Sequence, residues 1–287
     1  MALEYHQIAI TDPKPFVKWV GGKRQLMREL ETNFPKQFGT YHEPFLGGGA
    51  VMFNLLSKEP KLSCNVSDFN ADLILAYVTI RDNLGKLIES LENHSKNYHK
   101  NSTEYYYQVR KQEPKQQIEK VSRLIFLNRT CFNGLYRVNK KGQFNVPLGR
   151  YTNPNIVNKE NLIAVNKILQ SQKIKILCRG FEAVLDDAKK GDLVYFDPPY
   201  QPISNTANFT SYTHRDFTED DLKRLVDLAD QLNSKGCHVL LSNSNSKTVK
   251  DYFSEKHWSI SEIKANRAIN SNSKKRTGHK EIIIKNY

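Results

Sequence analysis

The stretch YHEPFLGGGAVMFNLLSKEPKLSCNVSD, residues 41–68, decides the fold class of this chain. It begins with a short strand candidate, Tyr41 to Phe45, which runs into the turn Gly47-Gly48-Gly49. Ala50 to Leu56 then has the apolar spacing of a helix, and Ser63 to Asp68 is a second strand candidate that ends in an acid. A strand, a glycine turn, a helix and a strand ending in an acid make half of a nucleotide-binding α/β sheet.

The C-terminal part of the chain supplies the other half of this pattern. Thr218 begins a helix with a capping signal, and that helix runs to about Ser234. The remaining candidates are the strands Ile174–Cys178, Leu193–Phe196, His238–Ser242 and Glu281–Lys285, and a short helix over Phe181–Ala188.

The middle of the chain has a different character. It is polar, with helix candidates at Asp72–Asn93 and Ile118–Leu127, and then carries the turn pairs Asn133-Gly134 and Lys141-Gly142. We therefore predict an α/β protein with a Rossmann-like, doubly wound mixed sheet and an inserted, mostly helical domain that contains a β-hairpin or loop. The predicted domains are residues 1–70 together with 159–287, which bind the small-molecule ligand and carry the catalytic residues, and the insertion at residues 71–158, which recognises the target.

Composition narrows the class of partner. Lysine and arginine total 43 against 30 acids, a net charge of +13, which indicates a polyanionic partner such as nucleic acid, although an ordinary basic surface remains the alternative. The N-terminus lacks a signal-peptide pattern, and no apolar run approaches the roughly 20 residues of a membrane span. The cysteines form no C-x-x-C pair, which argues against zinc and disulfides and for reduced thiols: Cys64, Cys131, Cys178 and Cys237.

The strongest chemical motif is Asp197-Pro198-Pro199-Tyr200, directly after an apolar strand. The prolines stiffen the backbone and remove N–H donors, so that nearby carbonyls are left to accept. A carboxylate beside such a carbonyl can take both protons of an aromatic amine, and Tyr200 offers a face for stacking a base that has left a duplex. The alternative is a strand-ending acid followed by a Pro-Pro turn with no ligand.

The glycine turn and the acid after the next strand point to an adenosine ligand. Glycines at a strand-to-helix turn let the backbone approach a ligand closely, and Asp68, 19 residues after Gly49, stands where an acid binds ribose hydroxyls. Met52 occupies the place of the third glycine of a dinucleotide-binding fingerprint, and there is no G-K-[ST] of a P-loop. An adenosine without a pyrophosphate therefore fits better than NAD or ATP.

Two further stretches mix cations with aromatic residues, at 128–137 and 144–151. Arg137 suits bidentate contact with guanine O6 and N7, and Leu135 or Pro147 suits the thymine methyl group. A polar hairpin with a few buried aromatics is the alternative.

These motifs, in this order, resemble the adenine-N6 DNA methyltransferases of the alpha arrangement, and specifically the DNA adenine methylase (Dam-type) group that modifies GATC. The resemblance covers nearly the whole chain. Thr206 to Tyr212 is a stretch associated with the GATC group. The other matching motifs are Lys18-Trp19-x-Gly21-Gly22-Lys23, Glu43-Pro44-Phe45-x-Gly47-Gly48-Gly49, Asp68, Leu127-Asn128-Arg129, Phe144-Asn145-Val146-Pro147, Asp197-Pro198-Pro199-Tyr200 and Leu241-Ser242-Asn243.

The resemblance implies methyl transfer from S-adenosylmethionine to adenine N6 in duplex DNA, by base flipping and direct in-line transfer, with S-adenosylhomocysteine as product and no metal. It implies that Asp197, Pro198 and Tyr200 hold the flipped adenine. Phe132 stands where some relatives carry a tyrosine wedge. The implied cofactor residues are Trp19, Lys23, Phe45, Gly47, Gly49, Asp68, Phe181 and Asp197. The implied DNA-binding residues are Lys18, Arg129, Phe132, Asn133, Leu135, Arg137, Pro147, Tyr151, Asn208, Arg267 and Asn272.

The expected setting is a monomer in the cytoplasm of a bacterial or phage-infected cell, with double-stranded DNA as partner and no membrane. Whether the enzyme serves a restriction system, a phage or a housekeeping role stays open. Two rival functions also stay open: an RNA or protein-glutamine methyltransferase with a related pocket, and a DNA-binding regulator that kept the fold without the activity.

Overall fold

The computed structural model describes residues 12–19, 21–139, 141–171, 173–200, 217–254, 257–265 and 279–287. Within these ranges a seven-stranded sheet runs in the order β3-β2-β1-β4-β5-β7-β6. Its strands are β1 Tyr41–Glu43, β2 Cys64–Asp68, β3 Ile174–Cys178, β4 Leu193–Phe196, β5 His238–Ser244, β6 Ser259–Ala265 and β7 His279–Lys285.

The direction of the strands fixes where a ligand would bind. β1 is parallel to both β2 and β4, β4 is parallel to β5, and β7 is antiparallel to β5 and β6. The strand order reverses between β1 and β4, which is the switch point where open α/β sheets bind their ligands. The predicted Rossmann-like, doubly wound mixed sheet is therefore confirmed.

The described residues divide into two compact units. The helical unit comprises Gly47–Lys61, Asn70–Ile176 and the described residues up to Gly22. The sheet unit comprises Lys23–Leu46, Leu62–Phe69 and the described residues from Leu177 onward. The assignment of residues 1–70 and 159–287 to cofactor binding, and of 71–158 to target recognition, concerns function and stays a prediction.

The helices of the described chain are short to medium in length, and none is both long and apolar enough to cross a bilayer. They are α1 Met27–Asn33, α2 Ala50–Lys58, α3 Ala71–Asp82, α4 Leu84–Lys100, α5 Ser102–Lys111, α6 Gln117–Thr130, α7 Lys159–Leu169, α8 Val184–Asp187, α9 Glu219–Ser234 and α10 Lys247–Tyr252, with 3-10 turns at Lys23–Leu26, Phe132–Gly134 and Phe181–Ala183.

The sheet unit is built on a buried apolar core. β4 is buried along its whole length, as the uninterrupted apolar run of a central parallel strand predicts. α9 covers this core with apolar residues at helical spacing, among them Leu225 and Leu232. Thr218 caps α9: its hydroxyl oxygen accepts from the Asp221 backbone N–H at 3.2 Å, and the Asp221 carboxylate accepts from the Thr218 N–H at 2.7 Å. The predicted start of this helix is confirmed.

The helical unit differs from the prediction in one respect. The single helix predicted over Asp72–Asn93 is wrong, because the chain forms α3 and α4 with a break at Asn83. Asn83 adopts φ −137° and ψ 34°, outside the helical region. Its short amide side chain competes with helical hydrogen bonding, and Gly85 in the next turn adds backbone freedom.

An aromatic cluster joins α4, α5 and α6. The ring of His94 stacks on Phe126 with centroids 4.9 Å apart, and its Nδ1 lies 2.9 Å from the hydroxyl of Tyr105. Burial lowers the pKa of His94 to about 4. This imidazole is therefore neutral at physiological pH, although the residue is only partly buried.

The segment after α6 is rich in turns, as predicted. Two isolated antiparallel bridges, Cys131↔Leu148 and Val138↔Phe144, hold it in a ribbon-like course. The Tyr106 hydroxyl donates to the Val146 carbonyl at 2.8 Å and so anchors the returning half of this segment to α5.

Candidate active site

Asp197 lies at the carboxyl end of β4, beside the switch point of the sheet. The Nζ of Lys23 is 2.7 Å from Asp197 Oδ1, and the Ser242 hydroxyl donates to the same oxygen at 3.0 Å. The Tyr195 and Ser242 hydroxyls lie 2.8 Å apart, and since Ser242 gives its proton to Asp197, Tyr195 is the donor in that contact. Lys23 is only 4% exposed and Asp197 18%. Asp197 is thus held between the buried ammonium of Lys23 and the hydroxyl of Ser242 on β5, which in turn accepts a hydrogen bond from Tyr195 on β4.

Opposing effects act on the pKa of Asp197. Burial raises the pKa of Asp197, the Lys23 ammonium opposes this rise, and the nearby Glu281 carboxylate adds to it by repulsion. Lys23 is thus the counter-charge for Asp197. Burial is the largest of these effects, so the net shift of the Asp197 pKa is upward in spite of the cation.

Tyr200, the last residue of the motif, is fixed at two points. Its hydroxyl donates to Glu281 Oε2 at 2.5 Å, and the Lys23 Nζ lies 4.9 Å from the centroid of its ring. Burial raises the pKa of Tyr200 well above its ordinary value, so the phenol stays protonated. Of the two prolines of the motif, Pro198 is buried and Pro199 exposed.

The predicted cofactor residues of the sheet unit follow the same strand ends. Phe45, just after β1, stacks on Phe181 with ring centroids 5.3 Å apart. Asp68 closes β2, and its backbone carbonyl accepts from the Arg179 N–H at 3.2 Å. Sequence reasoning missed Phe69, whose side chain is 65% exposed beside Asp68. An apolar residue directly after a strand-ending acid was the available signal.

The glycine turn belongs to the helical unit, and its contacts explain its composition. Gly47 has φ +49°, and a Cβ there would stand 2.9 Å from Cδ1 of Trp19. Gly49 has φ +69°, and its Cβ would stand 2.6 Å from the Tyr77 hydroxyl, which donates to the Gly47 carbonyl at 3.0 Å. Only glycine fits both positions, because each combines a left-handed backbone with a close neighbour.

Trp19 has a defined place within the helical unit. Its indole stacks on Tyr136 with centroids 5.4 Å apart, and the Tyr136 hydroxyl donates to Asp72 Oδ2 at 3.2 Å. An aromatic surface backed by a second ring is a suitable platform for a flat ligand.

Buried Asn128 ties the N-terminal segment to the turn region. Its Oδ1 accepts from the Lys18 N–H at 2.7 Å, while its Nδ2 donates to the carbonyls of Lys18 and Gly134, at 2.9 and 3.0 Å. The Lys18 ammonium in turn donates to the Tyr151 hydroxyl at 3.0 Å. The fold therefore brings together Lys18 and Tyr151, which are 133 residues apart in sequence.

The remaining predicted DNA-binding residues differ in their contacts and in their exposure. Arg137 is oriented by its neighbour, since its Nε donates to Asn145 Oδ1 at 2.8 Å. Arg129 instead donates through Nη2 to the Phe16 carbonyl at 2.7 Å, and burial lowers its pKa, a placement that favours a structural role. Phe132 is 40% exposed. Asn133 has φ +55°, Leu135 is half-buried and Pro147 is exposed. Asn208, Arg267, Asn272 and the Thr206–Tyr212 stretch lie outside the described residues.

A family model for the D12 class of N6 adenine-specific DNA methyltransferases matches residues 19–269. The chain belongs to this family. Its relatives include the type II methyltransferase M1.LlaDCHI of Lactococcus lactis subsp. cremoris, 43% identical over 280 residues that cover 96% of this chain and 95% of the relative. The type II methyltransferase M.MjaIII of Methanocaldococcus jannaschii is 42% identical over 291 residues, covering 96% of this chain and 99% of the relative. The DNA adenine methylase of Escherichia coli is 30% identical over 272 residues, covering 94% of each chain.

Membership of this family decides between the rival functions. The protein is an adenine-specific DNA methyltransferase, an enzyme class that acts on DNA and uses S-adenosylmethionine. The RNA and protein-glutamine alternatives, and the regulator without activity, are thereby set aside.

Proposed function

We propose that this D12 methyltransferase extrudes the target adenine of GATC from duplex DNA and methylates its N6 by direct in-line transfer. The observation that carries the chemical part of the proposal is the setting of Asp197. Lys23 and Ser242 both contact Oδ1 of this carboxylate. Among the described residues, no donor contacts Oδ2. One oxygen is thus anchored by the protein, while the other suits an incoming amine.

The chemistry requires an acceptor at this place. The lone pair of adenine N6 is delocalised into the ring, so the amine is a poor nucleophile until its protons are held out of the ring plane. Asp197 accepts a hydrogen bond from one of these N–H groups and stabilises the positive charge that develops on N6. Tyr200 stacks the base, whose extrusion costs a few kcal/mol in lost pairing and stacking. The Lys23 ammonium, now against Asp197 and the Tyr200 ring, has to yield part of this space to the adenine.

We assign the binding of S-adenosylmethionine, which supplies an electrophilic methyl group on sulfur when bound, to the cofactor residues that the motifs predict. In the sheet unit, Asp68 suits the ribose hydroxyls and the exposed ring of Phe69 suits the adenine of the donor, with Phe181 close to Phe45. In the helical unit, the glycine turn leaves no room for a Cβ beside Trp19. We include Lys23, Phe45, Gly47 and Gly49 in this binding role.

DNA recognition is assigned to the turn-rich segment and its partners. Arg137, held at Nε by Asn145, keeps its terminal nitrogens for a guanine edge, and Lys18 beside Tyr151 serves the first guanine of the site. Leu135 and Pro147 meet the thymine, and the exposed ring of Phe132, next to Asn133, fills the gap that the flipped base leaves. Asn208, Arg267 and Asn272 complete the proposed DNA-binding set, and Arg129 is left out of it because its guanidinium is buried against the Phe16 carbonyl. The GATC assignment is supported by the motif order and by relatives named DNA adenine methylase.

The proposal is tested by methylating a plasmid with labelled S-adenosylmethionine and mapping the modified adenines by sequencing. We expect label in adenine at GATC, and none with Asp197→Ala under the same conditions. The circular dichroism spectrum of the variant, compared with that of the wild type, controls for folding. Wild-type turnover by Asp197→Ala would refute the catalytic role, and methylation at another sequence would refute the site assignment alone.

A further inference from the structure

β7 carries an acid to the place where the DPPY motif lies. Because β7 is antiparallel to β5, its amino end reaches the edge at which the parallel strands end. The register pairs Glu281 with Ser244 of β5, and Phe196 of β4 with Leu241 of β5, so Glu281 lies beyond the β4 terminus that leads into Asp197. The chain order alone does not reveal this neighbourhood.

The acid at this position is costly for the fold. Glu281 is only 6% exposed and begins the run Ile282-Ile283-Ile284, which is completely buried. A buried carboxylate is strongly unfavourable unless a good donor satisfies it. The Tyr200 hydroxyl is such a donor, at 2.5 Å from Oε2. A neutral residue at this place in β7 would carry a lower cost, so the acid points to a role beyond the sheet.

We infer that Glu281 is a positioning residue for Tyr200, fixing the ring on which the flipped adenine stacks; the inference rests on the proposed function. A tyrosine ring swings about two side-chain torsions, and a hydrogen bond at its far end removes most of that freedom. Glu281 holds the hydroxyl end of the ring. A ring fixed in this way presents its stacking surface to the base before the base arrives.

Hydrogen bonding and charge are separable effects of Glu281. Glu281→Gln keeps an acceptor for Tyr200 and removes the negative charge, whereas Glu281→Ala removes both. Among the residues that the structure describes, the titratable groups that face Asp197 besides Glu281 are Lys23, Tyr195 and Tyr200. Loss of the Glu281 charge removes one cause of the raised pKa of Asp197, although burial remains the largest cause. The acid limb of the pH profile should therefore move to lower pH in Glu281→Gln, which a purely structural residue would not produce.

The test is a double-mutant cycle on the single-turnover rate of methyl transfer to duplex DNA. Tyr200→Phe and Glu281→Ala should each lower the rate by about ten- to a hundredfold, the range for a hydrogen bond to a charged group, with DNA affinity nearly unchanged. The double variant should be no slower than the slower single variant, because both changes remove the same contact. Glu281→Gln should stay within about fivefold of the wild-type rate.

A second tyrosine–glutamate pair provides the control. The Tyr252 hydroxyl donates to Glu219 Oε1 at 2.8 Å on the surface of the sheet unit, and Tyr252→Phe with Glu219→Ala should leave the rate unchanged. Additive losses in the Tyr200 and Glu281 cycle, or a Glu281→Gln rate as low as that of Glu281→Ala, would overturn the role of Glu281 while leaving the proposed function intact. A wild-type enzyme that transfers no methyl group to adenine would overturn both.

Discussion

Lys23→Met should destabilise the fold, and Asp197→Asn added to it should restore most of the loss. The Lys23 side chain is 4% exposed and its ammonium contacts Asp197 at 2.7 Å. The substitution keeps the volume of the stem but removes the counter-charge of a buried carboxylate. The second substitution then replaces that carboxylate by a neutral amide of the same shape.

The geometry sets the size of the effect. At 2.7 Å and an effective dielectric constant of 20, the attraction between the two charges is about 6 kcal/mol. Part of this is offset because Lys23 no longer has to leave water, and removing one partner of a buried pair typically costs about 3–5 kcal/mol. We expect a loss in this range for Lys23→Met near pH 8, and about 1 kcal/mol for the double variant relative to wild type.

Acidity should reduce the loss in the single variant. Burial already raises the folded-state pKa of Asp197 above its ordinary 3.8, and loss of Lys23 raises it further. For such a group the contribution to stability is fully present below the ordinary pKa and is lost as the pH rises through the folded-state pKa. The deficit of Lys23→Met should therefore shrink as the buffer is acidified.

Urea unfolding followed by circular dichroism measures these free energies. The control is Lys250→Met, which removes an exposed cation 3.0 Å from Glu262 and should cost no more than about 1 kcal/mol. If Lys23→Met costs as little as this control, or if Asp197→Asn fails to restore stability, the reasoning about the buried pair is refuted. Neither outcome depends on the substrate of the enzyme.

Three further predictions follow from contacts elsewhere in the molecule. Gly47→Ala should weaken S-adenosylmethionine binding by about tenfold in calorimetry, because the new Cβ collides with Trp19 at a left-handed φ; Gly191→Ala, at φ +83° in open space, is the control, and equal affinity in the two variants would contradict this role. The wild-type protein should lose about 2 kcal/mol of unfolding free energy between about pH 7.5 and pH 5 because of His94, and His94→Phe should lack this loss. The reason is that burial lowers the pKa of His94 to about 4, so its contribution is present above the ordinary 6.5 and is lost as the pH falls; identical urea profiles for variant and wild type would refute it. Arg137→Ala should relax discrimination at one guanine by about 1–3 kcal/mol, measured as kcat/KM on duplexes with single base changes, and undiminished discrimination would exclude it as the reader of that base.

Much of the sheet follows from local pattern. Leu193–Phe196 and Ile174–Cys178 are strands with the predicted bounds, and the Thr218 cap begins its helix at the predicted residue. Apolar runs and capping signals act over a few neighbouring residues, so the elements that depend on them can be predicted from the sequence. The break at Asn83 was missed because its local signals, Asn83 and Gly85, are weak beside the surrounding helical pattern. The strand Ser259–Ala265 was missed because it depends on pairing with β7.

The candidate site divides along the same line. Asp197, Tyr200, the glycine turn and Asp68 carry their chemistry in residue type and spacing, and the sequence alone determined them as candidates, together with the class of reaction. Only the tertiary structure decided what surrounds them. The Lys23 ammonium pairs with Asp197, and Glu281 accepts a hydrogen bond from the Tyr200 hydroxyl. The physical reason is distance along the chain, because 174 residues separate Lys23 from Asp197 and 81 separate Tyr200 from Glu281. No local pattern encodes contacts that arise only when distant segments of the chain come together in the folded sheet unit.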